Sequence, residues 1–217
     1  MKKRSRPASE QLPAAADLPE LTPDQDAAVE SLSRLYDGVD GYRVARKARS
    51  EQRSAGNFAA TSSTAYGEVD LRSFGRLLLH PLVVPPASEK QIFFDVGSGT
   101  AKPVLVAATL LRARFERCEG VELVEALHED AAATLGRLRS SSVLESAEIR
   151  LRCDDMFACS EEWLKADVLF IPTTCFDEDM RARPLFIAAH SNISFRTCYT
   201  RVDNFLIYFF CLASFWF

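Results

Sequence analysis

No C-x-x-C pair occurs among the six cysteines, at positions 118, 153, 159, 175, 198 and 211. The sequence therefore offers neither a zinc knuckle nor a disulfide framework, and it reads as the product of a reducing compartment. The three histidines, His80, His128 and His190, show no ligand spacing and no acidic partner at a fixed offset, so no metal is expected. An excess of positive charge is missing too: 26 Lys and Arg face 30 Asp and Glu, for a net charge of -4 and a pI near 5.5. That balance excludes a protein that coats nucleic acid with its whole surface. The basic start Met1–Arg6 is followed by polar, Ala- and Pro-containing sequence, not by an apolar signal region, so the expected location is nuclear or cytoplasmic, not secreted. The longest apolar run, Phe205 to Phe217, has 13 residues, against about 20 for a membrane span.

What the chain does have is 217 residues, 47% of them apolar, which suffices for one α/β domain with an extension. Residues 1–24 carry Pro7, Pro13, Pro19 and Pro23 with few large apolar side chains, and they read as a disordered basic arm whose cations could serve nuclear import or phosphate contact. Residues 25–88 read as a helical extension. Ala28, Val29, Leu32, Leu35 and Tyr36 fall at helical spacing, and after Gly38 and Gly41 the pattern resumes at Tyr42, Val44 and Ala45. Arg43, Arg46, Lys47, Arg49 and Arg53 crowd that second helix. A solvated face is the plainer account of them, and a nucleic-acid contact is the alternative. A further helix holding Phe74 and Leu77–Leu79 should end at His80-Pro81.

From residue 89 the texture changes to short apolar runs alternating with helical stretches, the pattern of βαβ units around a parallel sheet. Strands are expected at 92–96, 119–123, 149–153 and 168–171, with helices over 102–115, 125–140 and 161–165. The fold class is thus α/β, a doubly wound Rossmann-like sheet over 89–183. Residues 184–217 fit less well, and the sheet is expected to be incomplete at its C-terminal side. An abbreviated hydrophobic strand, a truncated or mis-spliced reading frame, and a weak membrane-directed tail all account for the run. The loss of both amphipathicity and polar turns favours the second.

The chemistry gathers at strand ends. Asp95-Val96-Gly97-Ser98-Gly99-Thr100-Ala101-Lys102 is a strand ending in an acid and running through a glycine turn into a helix, which is a nucleotide-binding arrangement because glycine lets a ligand approach the backbone. A dinucleotide fold wants a third glycine where Lys102 stands. S-adenosyl-L-methionine instead suits a small residue at Ala101, and the Asp95 carboxylate suits its cationic amine. Glu122 ends the second strand 23 positions after Gly99, near the offset of about 20 at which an acid meets ribose hydroxyls. After the third strand, Asp155 can accept from an exocyclic amine while Met156 and Phe157 flank an aromatic ring. Each acid alone is more often a cap or a solvated turn, yet three stand at successive strand ends, where ligands of such sheets bind.

These residues, with Thr64-Ala65-Tyr66-Gly67-Glu68-Val69 before them and Thr173-Thr174-Cys175-Phe176-Asp177 after, resemble histone lysine methyltransferases of the disruptor-of-telomeric-silencing (Dot-one) type, within the class I S-adenosylmethionine-dependent methyltransferases. The resemblance spans about residues 60–183. It implies that Tyr66, Gly67 and Glu68 close over the methionine end of the cofactor, with Glu68 and Asp95 near its amino group. It further implies that Glu122 holds the ribose, that Asp155, Met156 and Phe157 bracket the adenine, and that Thr173 and Thr174, with Tyr66, line the channel where the lysine meets the methyl group. Pro172-Thr173-Thr174 stands where the family carries an asparagine-containing stretch. The implied partner is a histone or nucleosome in chromatin. Methyl transfer to another acceptor and a catalytically inactive module are the alternatives.

Overall fold

A computed structural model describes residues 9–11, 17–56, 66–141, 145–172, 195–202 and 205–212. Three capped helices come first. Helix α1 (Pro23–Leu35) starts at a Thr22/Gln25 capping box with proline in its first turn. Helices α2 (Gly41–Ser54) and α3 (Leu71–Leu78) start at Asp40 and Asp70, whose carboxylates accept the N–H groups of Arg43 and Ser73. Helix α3 stops at Leu79, just before His80-Pro81, as the proline predicts.

The sheet follows. Beside a short strand β1 (Ser9–Gln11), it contains β2 (Gln91–Val96), β3 (Phe115–Glu122), β4 (Glu148–Cys153), β5 (Val168–Ile171), β6 (Phe195–Val202) and β7 (Phe205–Leu212), in the order β1-β6-β7-β5-β2-β3-β4. Strands β5, β2, β3 and β4 are parallel, with helix α4 (Lys102–Leu110) joining β2 to β3 and α5 (Glu125–Ser140) joining β3 to β4. Alternation within the strands divides the core in two. Phe93, Phe115, Val168 and Phe170 point to the face covered by α1, α3, α4 and α5. Phe94, Val96, Val121, Leu169 and Ile171 point to the other, packed against Trp163 of α6 (Ser160–Trp163). Both faces are covered, so this is the doubly wound α/β architecture expected of the sequence. The rings of Phe74, Phe93, Phe115 and Phe170 pack at centroid distances of 5.0–6.5 Å across the first core.

Three elements differ from the sequence expectation. Helix α4 ends at Leu110, not near residue 115, because Phe115 is fully buried as the first residue of β3 against Phe93. The tail beyond residue 184 contributes β6 and β7. Strand β7 pairs antiparallel with β5 and β6, so the hydrophobic run supplies backbone partners to a strand whose open edge would otherwise present unpaired N–H and C=O groups. The N-terminal arm, read as disordered, places Ser9–Gln11 in parallel register with Thr197–Tyr199, a pairing that needs main-chain groups and no apolar side chains. Leu18 is buried, and the Arg76 guanidinium donates to the carbonyls of Leu18 and Pro19. No described helix is long and apolar enough to cross a membrane.

Candidate functional site

The turn between β2 and α4 is built from left-handed backbone: Gly97 has φ 83°, Gly99 φ 54° and Ala101 φ 64°. Glycine takes that region freely, which explains two of the three. The turn lies flat on β3, since the amides of Gly97 and Ser98 both donate to the Val121 carbonyl at 2.9 Å. Gly120 permits this approach, because a Cβ there would stand 2.8 Å from that of Ser98. Ala101, the small residue the sequence singled out, is fully buried at the start of α4.

Two acids flank the turn on neighbouring strands. Asp95 is wholly buried, and neither carboxylate oxygen has a hydrogen-bond partner among the described residues. Burial, reinforced by the charge of Glu122, holds its carboxyl well above the usual carboxylate range. Glu122 is 8% exposed and its oxygens are engaged: one accepts the Gly99 amide at 2.7 Å, the other the Val124 amide at 2.8 Å. Its carboxyl is raised as well, burial outweighing the amides that favour the charged form. The residue read as a ribose acceptor thus grips the glycine turn, with second lone pairs left on both oxygens.

Opposite the turn lies the Tyr66-Gly67-Glu68 segment. The Tyr66 hydroxyl donates to Glu68 Oε1 at 2.6 Å and stands 3.2 Å from Thr100 Oγ1, while Lys102 Nζ reaches Glu68 Oε2 at 2.5 Å. The Tyr66 ring rests on the turn: a Cβ at Gly99 would meet it at 2.7 Å. Burial and the Glu68 carboxylate raise the Tyr66 phenol above its ordinary value, so it acts as a donor. Helix α2 closes the other side, with Gly41 making room for Tyr66 and the Tyr42 hydroxyl accepting the Glu68 amide at 3.3 Å. Between segment and turn lies a shallow, partly open cleft lined by residues 66–69, Asp95, 97–100, Lys102, Pro103, Phe170 and Pro172.

Of the site residues named from sequence, Tyr66, Gly67, Glu68, Asp95, Gly97 and Gly99 line this cleft, and Glu122 supports it from beneath. Asp155, Met156 and Phe157 follow the neighbouring strand tip and are not among the lining residues. Asp155 accepts the Phe157 amide at 2.8 Å, and Met156 is buried in the second core, its carbonyl taking the Trp163 indole N–H at 2.8 Å. Thr173 and Thr174 lie outside the described residues, as do Thr64, Ala65 and Cys175–Asp177. Sequence reasoning missed Lys102, noted only for displacing a glycine, and Tyr42, whose hydroxyl meets the Glu68 amide 26 residues away. Such pairings carry no local signal.

No protein-family model and no curated protein sequence matches the chain. Among solved structures it is similar to a methyltransferase from Geobacter sulfurreducens, at 12% identity over 91% of this chain and 92% of that one, with a TM-score of 0.40. It is also similar to magnesium protoporphyrin IX methyltransferase from Synechocystis PCC 6803 with bound SAM, at 12% identity, 88% and 96% coverage and a TM-score of 0.40. A precorrin 8W decarboxylase from Methanobacterium thermoautotrophicum gives 12% identity, 68% and 93% coverage and a TM-score of 0.42. Likenesses this remote leave function to the chain's own residues.

Proposed function

We propose that this chain is an S-adenosyl-L-methionine-dependent methyltransferase whose acceptor is a lysine amine of a basic protein, a histone being the fitting substrate. One observation carries the cofactor reading: Asp95 presents to a cleft floored by a glycine turn a fully buried carboxyl with no hydrogen-bond partner on either oxygen among the described residues. A buried orphan acid is costly unless a ligand satisfies it, and the cofactor brings cationic groups. Gly97, with no Cβ, fits the close approach such a ligand requires, while the space beside Gly99 is taken by the Tyr66 ring.

When bound, the cofactor supplies a methyl group on a positively charged sulfur. The protein's own part is placement and drying. Asp95 would take the amino group, Glu122 would use its remaining lone pairs for ribose hydroxyls, and Asp155 and Phe157 would bound the adenine, with Met156 backing them from the second core. Tyr66 and Glu68, held by Lys102 and Thr100, would cover the methionine end and keep water out. An amine can react only when neutral, and the apolar surfaces of Tyr66, Phe170 and Pro172 disfavour its charged form. Orientation of two reactants in such a channel contributes about 7–11 kcal/mol. The lysine acceptor rests on the Tyr66-Gly67-Glu68 segment of the resemblance, since Pro172-Thr173-Thr174 departs from the asparagine-containing stretch of that family, and a histone acceptor would set the protein's work in chromatin.

Thermal-shift titration with S-adenosylmethionine and its demethylated product tests the first half, since a ligand that binds only the folded state raises its melting temperature. No shift with either compound would sink the cofactor reading. Radiolabel transfer to nucleosomes, free histones and a panel of small molecules tests the second, and labelling confined to the small molecules would overturn the lysine acceptor alone.

A further inference from the structure

Helix α2 concentrates charge that the rest of the chain lacks. Arg43, Arg46, Lys47, Arg49 and Arg53 stand on it against Glu51 alone, giving net +4 to 14 residues of a chain whose net charge is -4, which leaves -8 for everything else. At 3.6 residues per turn the five cations fall within an arc of about 160°. The opposite arc is the one that packs: Ala45 is fully buried against Val124 and Leu127, flanked by Val44 and Ala48.

The cations are available to a partner. Arg43 and Lys47 have only loose neighbours on or beside their own helix, Asp40 at 4.0 Å and Glu51 at 3.8 Å, with side chains 71% and 76% exposed. Arg46 and Arg53 are exposed and Arg49 half-exposed, and none of the three forms an ion pair among the described residues. Pairs of this kind cost little to exchange in water. Four of the five are arginines, whose planar fork suits phosphate oxygens. From Arg43 to Arg53 the row extends about 15 Å along the axis. A duplex opposes that length with one phosphate charge per roughly 1.7 Å, a far denser match than the scattered carboxylates of an ordinary protein surface. The same helix reaches the cleft, since Tyr42 meets Tyr66 edge to face and Gly41 makes room for that ring.

We propose that the outward arc of α2 docks the protein on the phosphate backbone of duplex DNA, without sequence preference, and so sets the mouth of the cleft beside the duplex. The proposal does not depend on what the cleft binds. Its test uses the full chain, a fluorescein-labelled random-sequence duplex of about 20 base pairs and anisotropy titrations from roughly 50 to 200 mM salt. Replacing Arg46, Arg49 and Arg53 with Gln should lower affinity at the low-salt end at least about tenfold and flatten the log–log salt slope by roughly 2.7, at 0.9 per phosphate contact. The Lys replacements R46K/R49K/R53K should keep most of the slope, which separates loss of charge from loss of fold. R112Q/R150Q/R152Q, which removes three exposed arginines paired elsewhere with Glu145, Glu148 and Glu162, should change little. Equal losses in the two Gln triples would overturn the proposal. So would binding to single-stranded RNA or to a polyglutamate peptide about tenfold tighter than to the duplex.

Discussion

Asp95 and Glu122 end adjacent strands, flank one glycine turn and are both buried, yet among the described residues Glu122 has an amide on each oxygen and Asp95 has a partner on neither. Their charges repel, and burial raises both carboxyls. The difference separates two uses of the same residue type. Glu122 belongs to the fold, because its carboxylate takes the place of main-chain acceptors for Gly99 and Val124 at a turn that has no helix or ladder partner for them. Asp95 makes no hydrogen bond among the described residues, and its burial disfavours the charged form. A group of that sort persists at a site that needs it when a cation arrives.

Substitutions can break this comparison. The largest effect belongs to neither acid but to the turn between them. Gly97→Val puts a β-branched residue at φ 83°, and cofactor binding should fall beyond measurement in a thermal-shift titration, with at least about 1 kcal/mol lost from the apo protein. Retained binding would show that the turn is not the ligand's floor. Glu122→Ala comes next: it strips acceptors from two buried amides and should destabilise the apo protein by about 1.5–3 kcal/mol in urea unfolding, weakening cofactor binding as a consequence. Asp95→Asn should do the reverse to the apo protein. The folded chain holds a proton on Asp95 that the unfolded chain has released, so stability falls as pH rises from the ordinary carboxylate range through the raised value. The Asn variant escapes that loss. Its advantage over the parent should be about 1–2 kcal/mol at pH 8 and vanish toward pH 4, while cofactor affinity drops by roughly tenfold or more. A parent and variant of equal stability at every pH would place Asp95 in the same category as Glu122.

The sequence made this contrast only half visible. Asp95, Gly97, Gly99 and Glu122 were legible because strand, turn and acid follow one another along the chain, so local order reports spatial order. The hydrogen-bond duty of Glu122 was not, because an acid 23 residues after a glycine looks the same whether it binds a ligand or the glycine's own amide. Met156 illustrates the same limit: its position after β4 suggests a ring-stacking wall, and its carbonyl and side chain are committed to Trp163 and the second core. The four parallel strands were readable from their apolar runs. Strands β1 and β6 were not, and β7 was legible only as one of three accounts of its run, since Ser9–Gln11 has no strand pattern and Phe205–Leu212 is apolar throughout, which hides the period of two.

A third acid sharpens the comparison further. Glu68 faces the same cleft, and unlike Asp95 it is fully engaged, by Lys102 on one oxygen and by Tyr66 with Thr100 on the other. Lys102 and Glu68 are only 20% and 16% exposed, so their attraction is less screened than that of a surface pair. Lys102 also stands 5.3 Å from the centre of the Tyr36 ring, whose hydroxyl donates to the Thr100 carbonyl at 3.1 Å. Lys102→Met keeps the stem and removes the charge, leaving one Glu68 oxygen without its cation near Asp95. The expected cost to the apo protein is about 1 kcal/mol, smaller than for Glu122 because Tyr66 and Thr100 remain. Cofactor dissociation in a stopped-flow chase should quicken about threefold to tenfold as the covering segment loosens. Adding Glu68→Gln to that variant removes the stranded charge and should restore apo stability without restoring the slow dissociation. If the double variant regained both, the pair would matter only for the fold, and Tyr66 would hold the segment over the turn unaided.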